Sequence, residues 1–305
     1  MKLNLNFTSK IILIIVIVFT LDFIFGIVLE KLYSRTKTGL CQQENYIMLK
    51  TKQPLLIFGS SRAEYHYNPD IISNSTGLST YNCGREGVWL YYHYGVLLST
   101  LKRYHPKIVI LEIDLKDIYE NKADFGKGIL VQHAPYYKRI SNEFDSLLEL
   151  NGIKETIKMQ SFSYRYNSKF FKIITGNLVS KDDSKNGFKS QNGIWTKKIE
   201  YLNSNNEIVD NEKINTINNF IYKAKSNNVK LFFAISPYYK IVPTNILNPI
   251  KTIAERNDIT LLNHLSDTIF MNDNSLFYDD LHLNKRGAEL YSMIIANEVK
   301  KILEK

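Results

Sequence analysis

The 305-residue chain has little cysteine: only Cys41 and Cys83. Two thiols cannot build a disulfide scaffold, and without a C-x-x-C they offer no redox pair. Whether they pair or stay as unlinked buried thiols depends on the compartment, and both readings stand. The six histidines, at 66, 93, 105, 133, 264 and 282, have no metal-ligand spacing, so no metal and no other cofactor is expected. Internal repeats, zinc-finger spacing, an RNP-type motif and dense Lys/Arg runs are also missing, which argues against nucleic acid as a partner. Charge is nevertheless one-sided, with 39 Lys plus Arg against 30 Asp plus Glu and a net charge of +9. That excess suits a membrane surface or an acidic glycan, or simply a solvated, Lys-rich exterior. A hydrophobic content of 44% with 23% charged residues excludes a disordered chain. The length allows one large domain or two small ones.

What is present begins with a long apolar run. After a short tail, residues 1–10, residues 11–29 are almost wholly apolar, broken by Thr20 and Asp22. Such a run rises about 28 Å as a helix, close to the hydrocarbon thickness of a bilayer. A cleaved signal peptide would need a shorter core and small residues at a cut site, and residues 21–26 (Leu-Asp-Phe-Ile-Phe-Gly) supply none. Cys41 lies far from the run, which argues against a lipidated cysteine. The reading is a single uncleaved anchor. Lys2 and Lys10 on one side and Lys31, Arg35 and Lys37 on the other leave its orientation undecided. Asp22 sits near mid-span, where a carboxylate costs about 2.5–3.5 kcal/mol. Either its apolar neighbours outweigh it or it faces a partner membrane helix.

Residues 30–53 read as a polar connector. From 54 onward strand and helix patterns alternate. Leu55–Phe58, Ser79–Cys83, Ile108–Ile113, Val229–Ile235 and Ile259–Leu262 have the length and bounding of buried strands. Helical spacing covers Val88–Arg103, about Asn211–Asn227, and Leu283–Leu303. Alternation of this kind predicts a mainly parallel five-stranded sheet with helices on both faces, an α/β fold. Residues 117–210 break the rhythm. They read as an insertion with some helix near Asn142–Met159, placed over the strand ends within a domain spanning 54–305, its aromatics either packing as a satellite or lining a substrate groove.

Chemistry concentrates in two short stretches. Leu55–Phe58 stops at Gly59, and Ser60, Ser61 and Arg62 follow. A serine in a glycine turn beyond a buried strand sits where an α/β sheet presents its ligands; the competing reading is a helix cap. Near the C-terminus Asp279 precedes His282 by three residues, a spacing that lets a carboxylate fold back onto an imidazole and fix its tautomer. His282 could equally cap the final helix. Ser60 is the alternative nucleophile.

Taken in order, a serine after the first strand, a glycine turn after the second and D-x-x-H before the last helix resemble the GDSL/SGNH hydrolase family. The resemblance covers residues 54–116 and 229–305 and implies a three-layer α/β/α fold with a Ser-His-Asp triad. Gly59-Ser60-Ser61 matches the first family block, which makes Ser61 the nucleophile and leaves Ser60 in the usual aspartate's place. Asn82-Cys-Gly-Arg-Glu-Gly87 matches the second, whose glycine N–H, here that of Gly87, serves the oxyanion with the N–H of Ser61. Asp279 and His282 match the last. The third block departs: its asparagine is absent from Leu111-Glu-Ile-Asp-Leu-Lys-Asp117, and Asp114 or Lys116 falls near that place. Losing one oxyanion donor costs about 10²–10³ in rate, so Arg62, Arg85 and Lys116 become the candidate supports. The anchor, the Gly-Ser-Ser turn and the insertion look like the membrane-anchored branches, those similar to the D-alanine transfer protein of teichoic-acid synthesis and the polysaccharide acetyltransferases. That likeness implies an extracytoplasmic serine esterase or acyltransferase. Its substrate would be an acyl ester of a cell-envelope glycan, and its partner a multi-spanning acyltransferase. The alternative is a non-catalytic adaptor that retains the fold.

Overall fold

A computed structural model describes residues 6–120, 128–178, 185–202, 207–243 and 245–304. Residues 1–5 of the expected tail, Lys2 among them, and residues 121–127, 179–184 and 203–206 of the expected insertion lie outside the described residues. Along the chain come α1 (Phe7–Ser34), α2 (Gly39–Leu49), β1 (Leu55–Phe58), α3 (Ser61–His66), α4 (Pro69–Thr76), β2 (Thr80–Asn82), α5 (Leu90–Arg103) and β3 (Ile108–Glu112). The insertion holds α6 (Asn142–Glu149), α7 (Ile153–Lys158), α8 (Phe170–Leu178) and β4 (Glu200–Tyr201). Then follow α9 (Asn211–Ser226), β5 (Lys230–Ile235), β6 (Lys240–Ile241), α10 (Asn248–Arg256), β7 (Thr260–Asn263), α11 (Thr268–Met271) and α12 (Lys285–Leu303). The chain divides into two compact units, Met1–Tyr46 with Leu130–Asp182 and Ile47–Ile129 with Asp183–Lys305.

In the smaller unit the apolar run grows into a 28-residue helix, capped at its start by Asn6, whose side chain accepts the Ser9 N–H at 2.8 Å. This helix is long and apolar enough to cross a membrane. Two expectations change here. The stretch 30–53 is not a plain connector, because α1 continues to Ser34 and α2 follows. The inserted residues Leu130–Asp182, expected as satellite packing over the strand ends, form a unit with α1. Polar groups hold it together: the Tyr33 hydroxyl meets Glu44 at 3.1 Å and Tyr136 at 2.8 Å, and Tyr136 donates to Asn45 at 3.1 Å. Lys169 and Glu44 form a buried ion pair beside them.

In the larger unit the expected strands form one parallel sheet of order β2-β1-β3-β5-β7, while β4 and β6 make a separate parallel pair. Strand residues alternate between two buried faces, which is why the runs read as continuously apolar. Leu55, Ile57, Ile108, Ile110 and Phe232 share one core with Ile72 of α4 and Tyr291 and Ile295 of α12. On the other face Phe58 meets His93 of α5 at 6.1 Å and Phe220 of α9 at 6.0 Å. The result is a three-layer α/β/α arrangement. The strand order reverses direction around β1, so the carboxyl ends of β1 and β3 flank the switch point where such sheets bind ligands. Cys41 and Cys83 are both free and buried.

Asp117 closes the turn after β3. It accepts the N–H groups of Leu90 at 2.8 Å and Asp114 at 2.9 Å, which fixes the start of α5 against the end of the strand. Burial, with Asp114 nearby, pushes its carboxyl from 3.8 up to about 7. A raised carboxyl binds its proton more tightly in the folded than in the unfolded chain, so stability falls as pH rises between those values. Thermal unfolding of wild type against Asp117→Asn should show the wild type losing ground from pH 4 to 7, by about 1.4 kcal/mol per pH unit. Parallel profiles would mean that Asp117 does not titrate in this range.

Candidate active site

The site is built where β1 ends. Gly59 has φ of +150°, and a Cβ there would come within 2.7 Å of the Glu112 Cβ and 2.8 Å of the Ala63 Cβ. Only glycine lets the turn into α3 pack so tightly against β3. The loop after β2 is stitched to the same turn. Asn82 donates from Nδ2 to the carbonyls of Ala63 at 2.6 Å and Tyr67 at 2.8 Å, and its Oδ1 accepts the Gly84 N–H at 2.8 Å. The Arg85 N–H then donates to the Gly59 carbonyl at 3.0 Å. Ser61, first residue of α3, is held at the open edge of this junction.

The D-x-x-H stretch meets it there. Ser61 Oγ lies 2.8 Å from His282 Nε2. On the far side of the ring, His282 Nδ1 is 3.0 Å from Asp279 Oδ1 and 2.9 Å from Oδ2. Asp279 Oδ1 also accepts the N–H groups of Leu281 and His282, each at 2.8 Å, so carboxylate and ring share one tight turn. Burial pushes the Asp279 carboxyl up, but the hydrogen bonds from His282 and these N–H groups outweigh it and hold the carboxyl below its usual range. An ionised Asp279 keeps the ring proton on Nδ1 and leaves the Nε2 lone pair facing the Ser61 hydroxyl. The competing readings of these residues as side-chain caps do not hold. Ser60 occupies the cap position but makes no side-chain cap, and its Oγ is buried without a hydrogen-bond partner among the described residues. The final helix is capped by Asn284, whose side chain accepts the Gly287 N–H at 3.1 Å.

Behind Ser61, His282 and Asp279 lies a buried polar network that the sequence reading missed. His66 Nε2 accepts the N–H of Leu283, the residue after His282, at 3.0 Å. That bond puts the His66 proton on Nδ1, which donates to Ser236 Oγ at 2.7 Å. Ser236 donates in turn to Glu112 Oε1 at 2.7 Å, and Arg62 pairs with the same carboxylate at 3.1 Å. Tyr67 donates to the other carboxylate oxygen. Burial, aided by Arg62 and His282, holds the His66 imidazole well below its usual value and therefore neutral. One signal was available. Glu112 interrupts an otherwise apolar strand, and a buried carboxylate requires partners.

The remaining candidates separate. Arg62 is 1% exposed, stacked 3.8 Å from the Tyr238 ring centroid and bound to Glu112 and Ser236, so it faces inward rather than toward a substrate. Arg85 is buried, with Nη1 on the Tyr92 hydroxyl at 3.0 Å. Gly87 is exposed with φ of +73°, two residues beyond the Arg85 bond that ties its loop to Gly59. Asp114 caps the turn after β3, accepting the Lys116 N–H at 2.9 Å. Lys116 is exposed, its ammonium 5.2 Å from the Trp89 ring centroid. Asp114 and Lys116 line a cavity of about 300 Å³ that also meets Tyr119, Glu207, Tyr238 and Leu281, the last adjoining His282. No cluster of metal-ligating side chains occurs among the described residues.

No protein-family model and no curated protein matches the chain. Among solved structures, the chain is similar to a protein from Desulfitobacterium hafniense DCB-2 named for its assignment to the lipolytic G-D-S-L family. The match has 12% identity and a TM-score of 0.38, and covers 80% of this chain and 98% of that one.

Asp279→Asn preserves the turn but presents an amide that cannot fix the required tautomer. The rate of Ser61 labelling by a fluorophosphonate should fall about 10³–10⁴-fold, with the circular dichroism spectrum unchanged. Labelling at the wild-type rate would remove Asp279 from the site.

Proposed function

We propose that this protein is a membrane-anchored serine esterase or acyltransferase of the GDSL/SGNH type, acting on acyl esters, O-acetyl above all, of a cell-envelope glycan. The observation that carries this reading is the unbroken chain from Ser61 Oγ through the His282 ring to Asp279. In the proposed cycle Ser61 Oγ attacks the acyl carbonyl carbon while His282 Nε2 takes the hydroxyl proton. The carbonyl electron pair moves onto oxygen, where the N–H groups of Ser61 and Gly87 receive it. Collapse expels the alkoxide, which takes the proton from His282 and leaves acyl-Ser61. Water or a sugar hydroxyl then repeats the steps in reverse, its proton passing through His282. Asp279 orients the ring and offsets its transient positive charge.

The cavity beside Leu281 supplies room for the alcohol portion of the ester next to His282, with Asp114, Glu207 and Tyr119 as hydroxyl partners and Lys116 at its rim. Helix α1 serves as a single-pass anchor with the N-terminus inside, which puts the catalytic unit on the extracytoplasmic side. A multi-spanning acyltransferase is the proposed source or recipient of the acyl group. The missing asparagine after β3 favours a second reading, a non-catalytic adaptor for such a partner.

The test is fluorophosphonate labelling of the full chain in native membranes, mapped by mass spectrometry, with Ser61→Ala and His282→Ala as controls. Labelling at Ser61 that vanishes in both controls is expected. Acetate release from an acetylated glycan without an added acceptor would identify hydrolysis, and strict dependence on an alcohol would identify transfer. An unlabelled Ser61 in native membranes would overturn the enzyme reading in favour of the adaptor.

A further inference from the structure

We infer that the loop Ser161–Ser163 of the insertion is seated inside the hydrocarbon layer of the membrane, held there by Asp22. This rests on the reading of α1 as a membrane span and goes beyond it, because a second, non-helical segment then enters the bilayer.

The argument begins with length. A helix of 28 residues is about 42 Å long, whereas the hydrocarbon layer takes about 20 residues. Every 20-residue window that fits within Phe7–Ser34 contains Asp22. In the window that brings it nearest an edge, Asp22 still lies four residues, about 6 Å, inside. Whatever binds the Asp22 carboxylate directly therefore enters the hydrocarbon as well.

What binds it is the loop. Asp22 Oδ1 accepts the Ser161 hydroxyl at 2.6 Å, the Ser163 N–H at 3.2 Å and the Ser163 hydroxyl, while Oδ2 accepts the Phe162 N–H at 2.8 Å. Asp22 thus finds its partner in a loop of its own chain. Phe162 lies edge-on to Phe23, with ring centroids 5.0 Å apart. A Cβ on Gly26 would come within 2.3 Å of the Phe162 Cβ, so the absence of a side chain there lets the loop lie on the helix.

Non-helical backbone is tolerated at such depth only when its polar groups are satisfied within the protein. This loop meets that condition for its donors. The Ser161 N–H reaches the Lys158 carbonyl at 3.0 Å, those of Phe162 and Ser163 reach Asp22, and that of Tyr164 reaches Ser161 Oγ at 3.1 Å. The surroundings fit lipid better than water. Phe23 and Phe25 beside the loop are 47% and 50% exposed, and Ile153 and Ile157, one turn apart on α7, are 71% and 64% exposed. Lys158, Tyr164 and Arg165 flank the loop with the apolar stems and polar tips that suit the headgroup level. In water, four donors would be gathered on a carboxylate already well solvated, amid a patch of bare aromatic and aliphatic side chains.

The test uses the full chain in phosphatidylcholine/phosphatidylglycerol vesicles that carry a lipid with a diazirine in its acyl chain. After irradiation, trypsin releases Met159–Arg165 as one peptide, separate from the α1 peptide Ile11–Lys31. Acyl-chain adducts on both peptides are expected. Adducts on α1 alone would overturn the inference and leave the span intact. Adducts on neither would overturn the span itself. In Asp22→Leu the yield on Met159–Arg165 should fall about tenfold, the equivalent of one charge-assisted hydrogen bond, while that on α1 holds. An unchanged yield would show that Asp22 does not hold the loop.

Discussion

At the carboxyl end of β3 a carboxylate is buried where water cannot reach it, and the site is arranged around that fact. Glu112 is paired with Arg62 from α3, takes the N–H and hydroxyl of Ser236 beyond β5, and accepts the Tyr67 hydroxyl. A buried ion pair of this kind contributes little net stability against an apolar replacement, but removing one partner costs about 3–5 kcal/mol because the other charge is stranded. Its effect is therefore geometric. It locks the segments beyond β1, β3 and β5 in one register, and that is the register Ser61 needs.

The chain of contacts from Ser61 to Asp279 follows from this constraint at one remove. Ser236, fixed by Glu112, receives the His66 proton, and His66 in turn fixes the backbone at Leu283. His282 is thus held from behind through the next residue and from the side through Asp279, which grips both the ring and the turn. Two supports converge on one imidazole. A histidine so held has little freedom to reorient, and a ring fixed in this way is preorganised toward the Ser61 hydroxyl 2.8 Å from its Nε2. His66 itself is buried and neutral, which suits a fixed acceptor of a backbone N–H and not a group that exchanges protons.

The smaller unit solves a different problem with the same chemistry. A carboxylate in a long apolar helix must be satisfied locally, and the Ser161–Ser163 loop supplies four donors to it. Tyr33, Glu44, Tyr136 and Lys169 form a second buried polar cluster near the end of the same helix. The helix is therefore tied to the insertion at two levels, and it differs in this from a bare tether.

Much of the fold was legible because it depends on local pattern. The five core strands and the helices Leu90–Arg103, Asn211–Ser226 and Lys285–Leu303 fall within two residues of where apolar runs and helical spacing predict them. Burial on both faces leaves the same signature whatever the strand order. The juxtaposition of Ser61, Asp279 and His282 as a candidate site was legible for a related reason, since a glycine turn after a strand and a three-residue Asp–His spacing are short-range features. Contacts across the chain were not legible. Arg62 reads as a charge available to a substrate until Glu112, 50 residues away, turns it inward. Asp22 reads as a lone membrane carboxylate until a loop about 140 residues later reaches it. Sequence alone determined which segments are strands, which helix is apolar enough to cross a membrane, and which side chains are candidates for acyl chemistry. Only tertiary structure decided which charges are spent internally, because a buried charge is defined by its partner and partners are chosen by topology rather than by neighbours in the chain.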